Sequence, residues 1–335
     1  MEVQVSNHLH LEEFVKKHLQ EPYFPPRLLH YTPYTSYLQL FLKEGMTYPS
    51  MEDLKQEHHV FPLSDGQCCT TVFYPQNFHP TTPMVFLFPT LTADNHYFSA
   101  LILKLTQEYH WGAILINKRG QHCPLLNCRI DPIGNDHDTH VMIQWACEKF
   151  KTHTFYALGV SAGAIMLSRY LGKFHPEIKA AVAISGPFDT QAVESLPPLV
   201  QSQMKRRIYD KYTLPPATTP EEEAIHKKME KWVNDTSNIT DLFKIFRERS
   251  TPQIVEREVG LKSALPHIKI PMLFINAKDD PLFPAQPPPL TTMEAIFVSS
   301  DAGSHACYFQ SAWSLATLSW AEEKALQFFR HLHYD

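Results

Sequence analysis

Between residues 155 and 171 the chain passes from an apolar strand-like run into a helix-like run through one serine bracketed by glycines. Phe155-Tyr156-Ala157-Leu158 comes first, then Gly159-Val160-Ser161-Ala162-Gly163, then Ala164-Ile165-Met166-Leu167. A strand that becomes a helix within so few residues needs a turn where only small neighbours fit. Gly159 and Gly163 supply that room. Only 11 of the 335 residues are glycine, so chance occurrence of the pattern in this context is on the order of a few per cent. The junction therefore predicts a strand buried on both faces with a helix folded back over it, the repeating unit of a parallel sheet.

The rest of the chain extends that unit. Gln56 to Leu63 and Cys68 to Tyr74, separated by Ser64-Asp65-Gly66, predict a hairpin. Met84–Phe88, Ala113–Ile116, Phe155–Val160, Lys179–Ile184, Pro271–Ile275 and Glu294–Val298 predict further strands. Helices are expected over Tyr97–Glu108, Asp138–Phe150 and Ala162–Leu171, with a long closing helix over Phe309–His331. Such alternation predicts an α/β protein: a mostly parallel sheet with helices on both faces and the hairpin as an antiparallel edge. From about Pro187 to Pro266 no core strand is legible. Thr219-Pro220-Glu221-Glu222 predicts a helix start, with Thr219 as N-cap, Pro220 in the first position and Glu222 closing a capping box. Residues 187–266 have two readings, a second helical domain with no part in the site and a helical lid over the carboxyl ends of the strands; the lid is preferred because open α/β sheets bind ligands there. The core then comprises 55–186 and 267–335, and residues 1–54 pack on it.

Ser161 sits where a nucleophile would. The helix start behind it offers free N–H groups and a positive dipole end. A serine hydroxyl is a weak nucleophile until a base takes its proton. For a serine on such an elbow the partners follow from later strand ends, acid first and histidine last. Asn276-Ala277-Lys278-Asp279-Asp280-Pro281 follows one late strand. Asp280 is preferred over Asp279 as the acid because Pro281 stiffens the backbone after it. Ser299-Ser300-Asp301-Ala302-Gly303-Ser304-His305 follows the next, with Gly303 turning the loop. Among 19 histidines, His305 is singled out by that position. The expected chemistry is attack by Ser161 on an acyl carbonyl, an acyl-enzyme, and hydrolysis by water that His305 activates. The oxyanion is expected to meet the backbone N–H groups of Leu91 and Ala162, since Pro89 has none to give.

At this point the residues resemble a known group: the YheT-like branch of the α/β-hydrolase superfamily, which includes abhydrolase-domain lipases and esterases. Ile184-Ser185-Gly186-Pro187-Phe188-Asp189 and Ile275-Asn276-Ala277-Lys278-Asp279-Asp280-Pro281 carry the likeness most closely. Ile116-Asn117-Lys118-Arg119-Gly120 and Tyr170-Leu171-Gly172 add to it, and Pro25-Pro26-Arg27-Leu28-Leu29 to Leu38-Gln39 is similar to a worn opening segment. The resemblance implies the α/β-hydrolase fold, Asp280 as acid, His305 as base, and acyl esters, including lipid esters, as substrates. Three departures stand out. Thr90 occupies a position usually held by Gly. No N-terminal membrane helix is read. The stretch Arg247 to Leu261 is short.

Composition narrows the alternatives. A hydrophobic fraction of 44% and a net charge of −5 describe a globular chain with no basic stripe, so nucleic acid is not expected as a partner. No run reaches the roughly 18 apolar residues of a bilayer span. Six cysteines without a CxxC suit a reducing, cytoplasmic compartment. His137 and His140 stand near Asp136 and Asp138, but no third ligand is spaced to complete a metal site; they are read as part of a solvated helix start. No metal or cofactor is expected. Leu11, Phe14, Val15 and Leu19 form an apolar stripe with two readings, peripheral membrane contact and docking on the domain, the second preferred. Oligomeric state is not legible. Three activities fit: an esterase or lipase, an acyltransferase using the same acyl-enzyme, and a scaffold that kept the residues but lost turnover through Thr90.

Overall fold

In the computed structural model, which describes residues 1–26, 49–91, 95–128, 130, 131, 133–174, 176–186, 198–235, 241, 264–282, 293–310 and 317–334, nine described strands share one sheet. They are β1 (Glu2–Val5), β2 (Gln56–Leu63), β3 (Gly66–Phe73), β4 (Met84–Phe88), β5 (Gly112–Asn117), β6 (Phe155–Val160), β7 (Ile178–Ile184), β8 (Met272–Ala277) and β9 (Ala295–Ser300). Their order is β1-β9-β8-β7-β6-β4-β5-β3-β2. The six strands from β4 to β9 pair parallel. The β2–β3 hairpin joins β5 antiparallel, and β1 joins β9 antiparallel.

Successive strand side chains point to opposite faces, and here each face finds its own apolar layer. Val85, Leu87, Leu158, Val182, Leu273 and Ile296 belong to one, Phe86, Ala157, Ala183, Phe274 and Phe297 to the other. Each fully buried Leu or Phe is worth roughly 1.5–3 kcal/mol over an exposed one, so two-sided burial explains why these strands read as unbroken apolar runs. Helices α1 (Leu9–His18), α2 (Ser99–Leu103) and a C-terminal helix (Trp320–Tyr334) cover the first face. Helices α3 (Asp136–Lys149) and α4 (Ala162–Lys173) cover the second. Two more, α5 (Pro198–Lys211) and α6 (Pro220–Asn234), make a separate apolar cluster with Cys128, Ile130 and Leu282. The C-terminal helix is α7.

Several expectations need correction. β1 was not anticipated: four residues with only Val3 and Val5 apolar carry little signal, and the partner β9 is nearly 300 residues away. The helix expected over 97–108 is broken into a 3-10 turn at Asn95–Phe98, α2, and a π turn at Lys104–Glu108. The closing helix begins at Trp320 rather than Phe309, since Ser319 and Glu322 form a reciprocal cap: Glu322 N–H donates to Ser319 Oγ and Ser319 N–H to Glu322 Oε2. Residues 311–316 lie outside the described residues. Thr219 caps α6 through the Glu222 N–H, as expected, but the Glu222 carboxylate reaches past it to the N–H and hydroxyl of Thr218.

The N-terminal stripe docks on the domain. Leu11, Phe14 and Leu19 are buried, and the Phe14 ring meets Phe328 of α7 edge-on at 5.2 Å. All six cysteines are free thiols. Among the described residues no helix is long and apolar enough to cross a membrane. The loops leaving β4 to β9 gather at one rim. From β4 the chain moves to β5 on one side, whereas β6, on the other side, leads on to β7. The crevice between such diverging strands is where α/β sheets take ligands.

Candidate active site

Ser161 stands at that divide, between β6 and α4. Its backbone lies at φ 55° and ψ −117°, a conformation that costs a non-glycine residue about 1–3 kcal/mol. The surroundings hold it there. The Ser161 N–H donates to Ile184 O at 2.9 Å, tying the elbow to β7. A Cβ on Gly159 would stand 2.5 Å from Gly163 O, and one on Gly163 would stand 2.0 Å from Phe88 O. Both glycines are thus required by close backbone approach, and Gly163 lets the elbow press against the loop after β4.

The loop after β9 is strained in the same way. Gly303, Ser304 and Ala306 all have positive φ, and a Cβ at Gly303 would meet the Tyr308 ring at 2.3 Å. Ser304 N–H donates to Asp279 Oδ1 at 2.8 Å, and Ala306 N–H donates to Ser185 Oγ at 3.0 Å. His305, between these anchors, is buried. Its Nδ1 lies 2.9 Å from Asp280 Oδ2 and its Nε2 lies 2.7 Å from Ser161 Oγ. With Nδ1–H donating to the carboxylate, Nε2 presents its lone pair to the serine hydroxyl. The other Asp280 oxygen accepts the Leu282 N–H at 2.8 Å. Three side chains from the ends of β6, β8 and β9 therefore form one hydrogen-bonded line, and that line can transfer a proton away from Ser161.

No family model matches the chain. Over 258 residues it is 24% identical to phospholipase ABHD3 of Bos taurus, covering 70% of this chain and 60% of that protein. Over 292 residues it is 25% identical to abhydrolase domain-containing protein 2 of Drosophila melanogaster, covering 79% and 71%. The chain thus spans less than two thirds of the bovine relative. The crystal structure of a candidate lipase, Lip1, from Acinetobacter baumannii superposes with a TM-score of 0.51 at 12% identity, over 89% of this chain and 97% of that one. The chain is a member of the α/β-hydrolase superfamily.

In this α/β-hydrolase the loop after β4 carries the remaining expected residue, Leu91. Gly163 brings that loop against the start of α4, where Ala162 is the first helical residue. Thr90 stands beside it, partly buried; Thr92 lies outside the described residues. Side chains that sequence reasoning did not single out hold this loop. Lys118, just past β5, is 2% exposed. Its Nζ donates to Pro89 O at 3.0 Å and to Thr90 O at 2.6 Å. Arg119 is also buried and pairs with Asp138 and Asp65, and Arg169 pairs with Asp136. These ion pairs correct the expectation of a solvated start to α3. His140 stacks on Phe174 at 4.2 Å, and among the described residues no three metal-binding side chains cluster.

Burial pushes the Lys118 ammonium down to about 7, with the Lys211 charge adding to the effect and Asp131 opposing it. The ordinary lysine value is 10.5. Between these values the unfolded chain holds the proton and the folded chain does not, so stability rises with pH across that window. Below about pH 7 both states are charged and the rise ends. The unfolding free energy of wild type minus that of Lys118→Met is therefore expected to grow by about 2 kcal/mol from pH 7 to pH 9. Urea titrations at both pH values measure it, and a difference independent of pH would contradict it.

Proposed function

We propose that this α/β-hydrolase is a serine hydrolase of carboxylic esters, with lipid acyl esters as its substrate class. Ser161 attacks the acyl carbonyl while His305 takes its proton, and Asp280 holds the imidazole and stabilises its charged form. The N–H groups of Leu91 and Ala162 receive the oxyanion. Collapse of the tetrahedral adduct expels the alcohol, which takes the proton back from His305. Water, deprotonated by His305, then frees the acid from the acyl-enzyme.

The observation that carries the reading is the unbroken line from Ser161 Oγ through His305 to Asp280, at 2.7 and 2.9 Å. The lipid class draws support from the phospholipase relative, and the YheT-like branch is the sub-group we assign on the motifs above. The described helices of the 187–266 segment, α5 and α6, are the lid: they pack with Leu91 of the β4 loop and Leu282 of the β8 loop, beside the rim where the three side chains meet. The described parts of 55–186 and 267–335 make the core, and Leu11, Phe14, Leu19, Tyr23 and Met51 of the N-terminal segment pack on it.

A panel of p-nitrophenyl esters, monoacylglycerols and phospholipids tests the assignment. Fatty acid release from at least one lipid is expected, together with burst release of p-nitrophenol from a short ester. Lipids left intact while short esters turn over would remove the lipid class. Ester formation with added glycerol at the expense of free acid would reassign the reaction to acyl transfer.

A further inference from the structure

Three consecutive carbonyls of the β4 loop are each held by a side chain. Lys118 Nζ takes those of Pro89 and Thr90 at 3.0 and 2.6 Å. The Tyr212 hydroxyl, one residue beyond α5, donates to the Leu91 carbonyl at 3.2 Å. Gln121 supports the arrangement by accepting the Lys118 N–H on Oε1 at 3.1 Å. A buried amino group is expensive unless its donors are satisfied, and here two N–H donors go to two backbone oxygens of this one loop.

The direction of a carbonyl settles the direction of the next N–H. No cis peptide occurs among the described residues, and in a trans peptide the C=O and N–H of one plane point in opposite directions. The Thr90 carbonyl and the Leu91 N–H share a plane. Whatever holds Thr90 O toward Lys118 turns the Leu91 N–H the other way. Gly163, with no Cβ, admits Phe88 and Pro89 close enough that the loop rests on the serine elbow.

We propose that Lys118, helped by Tyr212, is a positioning residue that aims the Leu91 N–H at the oxyanion by holding the loop carbonyls behind it. The proposal rests on Leu91 being an oxyanion donor, as assigned above. It also ties the lid to the chemistry, because Tyr212 follows a lid helix. An oxyanion donor is worth about 10²–10³ in rate, so misdirecting one has a readable cost.

Lys118→Met keeps the stem and removes the donors. In a folded variant, verified by circular dichroism, kcat is expected to fall about 100-fold with KM within twofold. The inhibition constant of a trifluoromethyl ketone, whose adduct on Ser161 carries the oxyanion, should rise by a similar factor. Tyr212→Phe, a milder change that guards against misfolding, should lower kcat about fivefold. Amide hydrogen exchange at Thr90 and Leu91 should quicken in Lys118→Met while α4 stays protected. Unchanged kcat and unchanged exchange in folded Lys118→Met would overturn the proposal. If wild type hydrolyses no ester yet exchange at those two amides still quickens, the clamp stands and the hydrolase reading fails.

Discussion

Ser161→Ala is expected to lower kcat for ester hydrolysis by about 10⁵-fold, near 7 kcal/mol of lost transition-state stabilisation. His305 Nε2 has Ser161 Oγ at 2.7 Å, and alanine leaves the imidazole with no hydroxyl to deprotonate. A fluorophosphonate should add its mass to wild type and not to the variant. The fold should survive, because the elbow is held from outside, by Ile184 O and by the close approach of Gly159 and Gly163. Ser161→Gly should be equally inactive yet more stable by about 1 kcal/mol, since glycine adopts a positive φ without the penalty serine bears. Denaturant midpoints and the labelling assay on the same samples decide the matter. A wild-type protein that resists the probe, or an alanine variant that still takes it up, would remove Ser161 as nucleophile.

That serine was legible because its constraints are local. Two glycines, an apolar strand and a helix start all lie within one short stretch, and each is a consequence of the same tight turn. The parallel strands were legible too, because burial on both faces leaves no charged or amide side chain inside β4 or β6, and only Asn276 near the end of β8, to blur them. Asp280 and His305 were found by chain order and by their place just past a strand. What brings them within 2.9 Å is the order of strands β6 to β9, which no local pattern encodes. Lys118, quoted only within the run Ile116 to Gly120, drew no role of its own for the opposite reason. A lysine after a strand reads as a solvated loop residue, and only the folded chain shows that its ammonium is enclosed and turned onto Pro89 and Thr90. The Arg119–Asp138 pair was hidden similarly, since Asp138 in sequence is an ordinary acidic residue in the first turn of a helix. At α7, Ser319-x-x-Glu322 was a readable start signal; the apolar residues before it drew the expected boundary too early.

The two adjacent aspartates after β8 offer the sharpest remaining test, because they differ in chemistry far more than in position. Asp280→Asn is expected to lower kcat about 10⁴-fold while the protein stays folded. The amide can still hydrogen-bond His305 Nδ1, but by donating its NH₂ it favours the tautomer with the proton on Nε2. That nitrogen then has no lone pair for the Ser161 hydroxyl, and the imidazolium formed during attack loses the carboxylate beside it. Asp279→Asn should stay within about threefold of wild type, because an amide oxygen can accept the Ser304 N–H that Asp279 Oδ1 now accepts at 2.8 Å. Asp279→Ala removes that anchor from a loop with three positive-φ residues around His305 and should cost about tenfold, through looser placement of the imidazole. The ranking, with Asp280→Asn far below Asp279→Ala and Asp279→Ala below Asp279→Asn, separates proton chemistry from loop support. Steady-state kinetics on one activated ester resolve all three. Equal losses at the two positions would mean that Asp280 only braces the loop, and the His305 tautomer would then need another source of control.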